Sequence, residues 1–271
     1  MIPASGRTAI VTGASTGVGH AIAKALARAG FTVFGTSRDP TKTPLRNVSM
    51  LTCDLTDSAS VDALVSTVLA RMGRIHVLVN NADVTLIAGA EESSLMQVRA
   101  LFDANLFGVM RMTNAVLPAM RKTGGGRIIN IGSVFGVMPS PFGALYSASK
   151  HALESYSESL DHEVRAFNIR VSLIAPALTR NGFDQNVLEP DAPLQEYDQA
   201  RAHMHGYVQE LLAVAEPSDV VADAVLLAAT ATRPRRRYPA GKAGRRADFL
   251  RRFMPTDTFD KAIRKARRLP N

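Results

Sequence analysis

The chain has 271 residues, 46% hydrophobic and 21% charged, enough for one large core and short for two independent domains. Its one cysteine, Cys53, excludes an intrachain disulfide, and no apolar run reaches the roughly 20 residues of a membrane-spanning helix. The N-terminus carries no signal-peptide pattern, so a cytoplasmic protein is expected.

In chain order, Thr8 to Thr12 reads as a short apolar strand, followed by a glycine turn and a helix from Gly17 to Arg28 that stops before Gly30. Strands follow at 32–36, ending at Ser37-Arg38, and at 48–53, ending at Asp54. A helix from Val61 to Met72 leads into the strand Val77 to Asn80. Leu95 to Arg121 reads as one long helix, and Gly124-Gly125-Gly126 punctuates its junction with a strand at 127–131. Leu153, Tyr156, Leu160, Val164 and Phe167 then step at helical spacing before a strand at 169–174. The segment 177–216 breaks the rhythm with prolines, acids, Phe183, Tyr197, Met204 and Tyr207 and shows no strand pattern, which predicts a lid. A helix at 217–230 and a last strand at 237–241 close the pattern. Such alternation predicts an α/β fold: a doubly wound, mostly parallel, Rossmann-like sheet of about seven strands with helices on both faces.

The formal net charge of +8 is lopsided, because residues 233–271 hold 14 Lys or Arg against 3 acids, leaving 18 against 21 in the rest. Clusters such as Arg235-Arg236-Arg237, Arg245-Arg246 and Arg251-Arg252 predict a solvated basic extension, with peripheral contact to an anionic membrane as the alternative and no specific nucleic-acid site. Phe249, Leu250, Phe253, Met254, Phe259 and Ile263 interleave with these charges. They predict amphipathic segments that fold back beside the lid.

Gly13, Gly17 and Gly19, with Ser15, Thr16 and Val18 between them, form a strand-to-helix turn that lets backbone approach a pyrophosphate at a helix N-terminus. At the end of the second strand, Ser37 and Arg38 offer a hydroxyl and a planar cation to a ribose phosphate, which favours NADP(H) over NAD(H); Asp39 lies one residue out of register. Tyr146 and Lys150 lie four apart on a helix, so the ammonium is expected beside the phenol, lowering its pKa toward the working range. Ser133 supplies a neutral donor for a substrate oxygen. His151, His162, His203 and His205 have no partner set for a metal, and none is expected. Phe135, Val137 and Met138 are candidates for an apolar pocket wall.

Taken together, the glycine motif at 12–19, Asp54, Asn80-Asn81-Ala82, Asn105, Ser133, Tyr146 with Lys150, and Pro176 with Thr179 resemble the compact, single-domain branch of the short-chain dehydrogenase/reductase family. The likeness extends to members acting on steroid, retinoid or other lipophilic alcohols and ketones. It implies an NADP-binding and catalytic unit at 1–232 with a substrate lid at 177–216, followed at 233–271 by the last strand and basic extension. It also implies that Asp54 and Leu55 meet the adenine, Asn81 and Ala82 the neighbouring ribose, and Lys150 the nicotinamide ribose, while Pro176 and Thr179 complete the cofactor site. Asn105 would order a water near Lys150. A homodimer or homotetramer built on the helices around 95–121 and 146–167 is implied as well. Two positions depart from the family, Asp83 and Ala177, where glycine is usual; they are expected to affect cofactor affinity rather than proton transfer. The alternatives are a reductase of carrier-bound 3-oxoacyl groups and a noncatalytic NADP(H)-sensing protein.

Overall fold

The computed structural model describes residues 6–42, 44–180 and 187–266. Seven strands form one sheet: β1 (Thr8–Val11), β2 (Thr32–Ser37), β3 (Val48–Thr52), β4 (Val77–Asn80), β5 (Gly126–Ile131), β6 (Ile169–Pro176) and β7 (Arg237–Ala240). Their spatial order is β3-β2-β1-β4-β5-β6-β7, and every pairing is parallel. The helices are α1 (Gly17–Arg28), α2 (Ser58–Met72), α3 (Leu95–Phe102), α4 (Gly108–Lys122), α5 (Ala144–Val164), α6 (Asp198–Ala213), α7 (Asp219–Thr230), α8 (Gly241–Phe253) and α9 (Thr256–Ala266). The strand order reverses between β1 and β4, which opens a crevice at the carboxyl ends of the strands.

Strand residues alternate between two cores because successive side chains point to opposite faces. Ala9, Val11, Val77 and Val79 pack with Ile22 and Leu26 of α1 and Val221 and Val225 of α7. Ile10 and Leu78 face the other way, against Val61 and Val68 of α2, Met112 and Val116 of α4, and Leu160 and Val164 of α5. Both faces are thus covered, as a parallel sheet requires. A polar column crosses this second layer. Asn80 Nδ2 donates to Asn130 Oδ1 at 2.9 Å, and Asn130 Nδ2 donates to Ser157 Oγ at 2.8 Å, tying β4 and β5 to α5.

Two elements differ from the sequence reading. The stretch 95–121 is not one uninterrupted α-helix: residues 103–107 form a π turn between α3 and α4, and this turn presents Asn105 inward. The described part of the segment 177–216 holds the 16-residue helix α6 and two-residue pairings at 179–180 and 187–188; α6 buries only Met204 and Val208, so its periodicity is weak in the sequence. Phe183 lies outside the described residues. No helix among the described residues is long and apolar enough to cross a membrane.

Where α5 turns into β6, Asp161 is fully buried and collects donors from three residues. Arg170 Nε lies 2.8 Å and the Val171 N–H 2.9 Å from Oδ1, and Arg165 reaches Oδ2. Burial alone would push this carboxyl up, but the hydrogen bonds from Arg170, Val171 and Arg165 outweigh it and hold the pKa at about 2.

Candidate active site

The chain leaves β1 through Gly13, whose φ of 64° lies in the left-handed region; a Cβ there would sit 2.9 Å from Ala82 Cα. A Cβ on Gly19 would lie 2.1 Å from the Gly13 carbonyl oxygen, so the turn closes only with glycine at both places. The Asn81 side chain secures it, donating to Thr12 O at 3.0 Å and Gly13 O at 3.3 Å. The Thr12 hydroxyl accepts the Asn81 and Ala82 N–H groups at 2.9 and 3.1 Å. Asn81 and Ala82 line the cleft, and the Asn81 Nδ2 braces the glycine turn. Thr16 caps α1 without a side-chain hydrogen bond, leaving the first N–H groups of the helix to a ligand.

At the end of β2, Asp39 Oδ1 accepts the Thr41 N–H at 3.2 Å and the Thr41 hydroxyl at 2.6 Å. Its carboxylate therefore closes a local turn, while Ser37 and the exposed Arg38 line the cleft. Asp54 behaves like Asp39: Oδ1 accepts the N–H and hydroxyl of Thr56 at 2.9 and 2.7 Å, and these two bonds hold its carboxyl below the ordinary range. Asp54 and Leu55 form the cleft wall on this side, and Pro176 and Thr179 the wall beyond β6. The cradle that a Cβ would fill and the helix N-terminus without a side-chain cap fit the pyrophosphate of a nicotinamide dinucleotide.

Ser133, just past β5, and Tyr146, in the first turn of α5, both line the same cleft. The Ser133 and Thr85 hydroxyls lie on the Tyr146 phenol's side of the cleft and favour its ionised form, against the larger effects described below. Lys150 stands behind them, 1% exposed, with Nζ donating to the Ile131 carbonyl at 3.2 Å. The same Nζ is 2.8 Å from Asp83 Oδ2, and that oxygen accepts from the Tyr146 hydroxyl at 3.3 Å. This overturns two expectations. Burial, and then the charge and hydrogen bond of Asp83, push the phenol well above its ordinary pKa instead of lowering it. Asp83 also acts through its carboxylate, not only through lost backbone freedom. Asn105 is committed as well: Oδ1 accepts the Val84 N–H at 2.8 Å, and Nδ2 donates to Val84 O at 2.9 Å and Ser149 Oγ at 3.2 Å. It fixes the backbone beside Asp83, a contact that spacing alone did not reveal.

The cleft measures about 980 Å³. Beyond Tyr146 its walls are largely apolar, with Ile87, Phe135, Met138 and Phe142, then Met204, Val208 and Leu211 of α6, Leu250 of α8 and Phe259 of α9, while Tyr207, Glu216, Lys242 and Arg246 add polar groups. The basic extension thus folds back over the site as two helices. Val137 is not part of the wall; its carbonyl accepts from Arg251 Nε at 2.8 Å. His203 and His205 do not line the cleft, and His205 Nε2 lies 3.8 Å from Glu189.

The segment 187–213 is strapped to the body along one edge. Thr85–Leu86 pairs in parallel with Val187–Leu188, the buried Glu92 pairs with Arg201 and accepts the Leu194 N–H at 3.0 Å, and Tyr197 donates to Glu91 at 2.6 Å. Ser94 meets Asp191 through its N–H at 2.7 Å and its hydroxyl at 2.5 Å. On the opposite rim, the Glu216 carboxylate accepts the Lys242 and Ala243 N–H groups, each at 3.0 Å, and so caps α8.

Comparison with known proteins agrees with this geometry. The family model described as short chain dehydrogenase matches residues 7–192. The 3-ketodihydrosphingosine reductase of Bacteroides thetaiotaomicron is 43% identical over 177 residues, a match that covers 65% of each chain. A crystal structure of a short-chain dehydrogenase from Streptomyces avermitilis superposes with a TM-score of 0.80 at 32% identity, covering 96% of this chain and 97% of that one. Two further neighbours carry a nucleotide. A metagenomic short-chain oxidoreductase in complex with NADP has a TM-score of 0.69 at 32% identity, covering 86% of this chain and 96% of its own. A Burkholderia phymatum protein in complex with NAD has a TM-score of 0.74 at 27% identity, with coverages of 84% and 87%. Fold, family model and full-length structural likeness together make this chain a member of the short-chain dehydrogenase/reductase family, an oxidoreductase acting on CH–OH groups.

Proposed function

We propose that the protein is an NADP(H)-dependent reductase of a lipophilic ketone or aldehyde, running in reverse as an alcohol oxidation. The observation that carries this reading is the junction inside the cleft, where the Ser133 and Tyr146 hydroxyls meet a wall of apolar side chains from α6, α8 and α9. The name of the Bacteroides thetaiotaomicron relative, that of a ketone reductase, is in keeping with it. The cofactor supplies the hydride when bound. Tyr146, held protonated by its surroundings, acts as general acid toward the substrate oxygen, and Ser133 donates a second hydrogen bond to that oxygen. Lys150 and Asn105 are supporting residues: Lys150 balances Asp83, and Asn105 fixes residue 84. The glycine turn with Ser15, Thr16 and Val18 holds the pyrophosphate, and Arg38 with Ser37 takes the 2′-phosphate. Exposed Leu95, Met96 and Phe107 beside α3 and α4 support self-association through that face.

Arg38→Ala should weaken NADPH binding about 10- to 150-fold, the loss of one charge-assisted contact, and leave NADH binding within about threefold. Titration of each cofactor against the purified variant measures this, and equal losses for both would remove Arg38 from phosphate recognition. The substrate class is tested by following NADPH absorbance over a panel of short and long ketones and aldehydes. Long apolar substrates should be reduced with the lower KM. Leu250→Ala combined with Phe259→Ala should raise that KM about tenfold while sparing small carbonyls, because only the long substrates bury area against those side chains. A panel in which small polar carbonyls are preferred would reject the lipophilic reading.

A further inference from the structure

Asp83 stands where the family resemblance leads one to expect glycine, and its carboxylate touches both ionisable members of the site. Oδ2 lies 2.8 Å from Lys150 Nζ and accepts the Tyr146 hydroxyl at 3.3 Å. The placement is built rather than incidental. Asn105, itself buried in the π turn, clamps both backbone groups of Val84, the next residue, and Thr85–Leu86 is then fixed by pairing with 187–188. Lys150 is sealed at 1% exposure, with the Ile131 carbonyl and Asp83 as its polar partners, so its charge is balanced by Asp83 before it reaches the phenol.

We propose that Asp83 is a positioning residue for proton transfer: it neutralises Lys150 and holds the Tyr146 hydroxyl as a donor, biasing the site toward carbonyl reduction. This rests on the reading of Tyr146 as the general acid given above. The charged groups facing the phenol are Asp83, from the segment after β4, and Lys150, from α5; the segment after β5 contributes the Ser133 hydroxyl, and Thr85 a second one. The other ionisable groups nearby on α5 are engaged elsewhere, His151 with the Ser147 carbonyl and Glu154 with Arg237. With a carboxylate rather than a bare ammonium at the hydroxyl, ionisation of Tyr146 would place two negative charges together, so the phenol keeps its proton across neutral pH. In the reductive direction that proton passes from Tyr146 Oη to the alkoxide oxygen formed by hydride addition, and the phenolate left behind is reprotonated from solvent.

The test is a spectrophotometric titration of cofactor-free protein. The chain has five tyrosines, and subtracting the curve of Tyr146→Phe isolates the one in the site. In Asp83→Asn, which keeps shape and removes charge, the Tyr146 signal should appear at least about one pH unit lower than in the unaltered protein. The basic limb of kcat/KM for reduction should move down with it, and alcohol oxidation near neutral pH should rise. Asp83→Gly should shift the titration the same way, and serves as the readout if the amide fails to fold. An unchanged Tyr146 titration in both variants overturns the proposal. Absence of turnover on every carbonyl by the unaltered protein would instead overturn the assignment of function, and the cofactor-free titration would still decide the role of Asp83.

Discussion

Tyr146→Phe is expected to lose about 100- to 10,000-fold in kcat on the best carbonyl substrate, the usual contribution of a general acid, while keeping its fold and its NADPH affinity. The ring stays because it packs edge-on against Phe135, with centroids 6.3 Å apart, and that contact needs no hydroxyl. What disappears is the proton that Asp83, Ser133 and Thr85 surround. Steady-state rates give the loss, and a fluorescence titration with NADPH shows whether binding survives. A variant keeping more than half the original rate would exclude the phenol from the reaction.

The second large effect concerns stability. Asp161→Ala should lower stability by about 3 kcal/mol or more, because it removes a buried carboxylate and leaves Arg170 and the Val171 N–H without their acceptor. For a chain of this size that corresponds to a fall in Tm of about 6–12 °C by thermal melting at pH 7. The pH dependence has a definite sign. The carboxyl titrates at about 2 in the fold against an ordinary value of 3.8, so its contribution is complete above pH 4 and fades as pH falls through 2. The unaltered protein should therefore lose about 2–3 kcal/mol from this group over that interval, and Asp161→Ala should show a correspondingly flatter acid limb. Equal acid sensitivity in the two proteins would mean that the Arg165 and Arg170 contacts contribute nothing.

The fold was readable because its signals are local. Apolar runs at 8–12, 32–36, 48–53 and 77–80 ended at turn residues, and the intervening helices carried clear 3.6-residue spacing. The glycine turn was equally local, and the structure shows why two of its glycines admit no substitute. Asp39 and Asp54 were legible in kind: an acid two residues before a threonine favours a side-chain turn, which is where both carboxylates went. The proton-transfer corner was not readable in the same way. Tyr146 and Lys150 announced themselves by spacing, but their electrostatics depend on a residue 63 positions upstream of the phenol. Asp83 reaches them only because β4 and β5 are neighbours and Asn105 pins the loop between them. The π turn that aims Asn105 leaves no composition signal, since one extra residue per turn scarcely disturbs helical periodicity. The bounds of α6 are illegible for a related reason: few of its residues are buried, so it lacks a strong apolar stripe and leaves a lid and a packing helix-loop equally open.

The strap along residues 84–97 bears on how this enzyme could change its substrate, in evolution or by design. Grafting a foreign lid onto 187–213 alone would leave Glu92 as a buried anion without Arg201 or the Leu194 amide, and Ser94 without Asp191. The exchangeable module is therefore bipartite, made of 84–97 and 187–213 together. Its first half begins one residue after Asp83, so any swap of that module re-aims the carboxylate at Tyr146. On the function proposed above, a change of substrate made through this module also resets the proton donor.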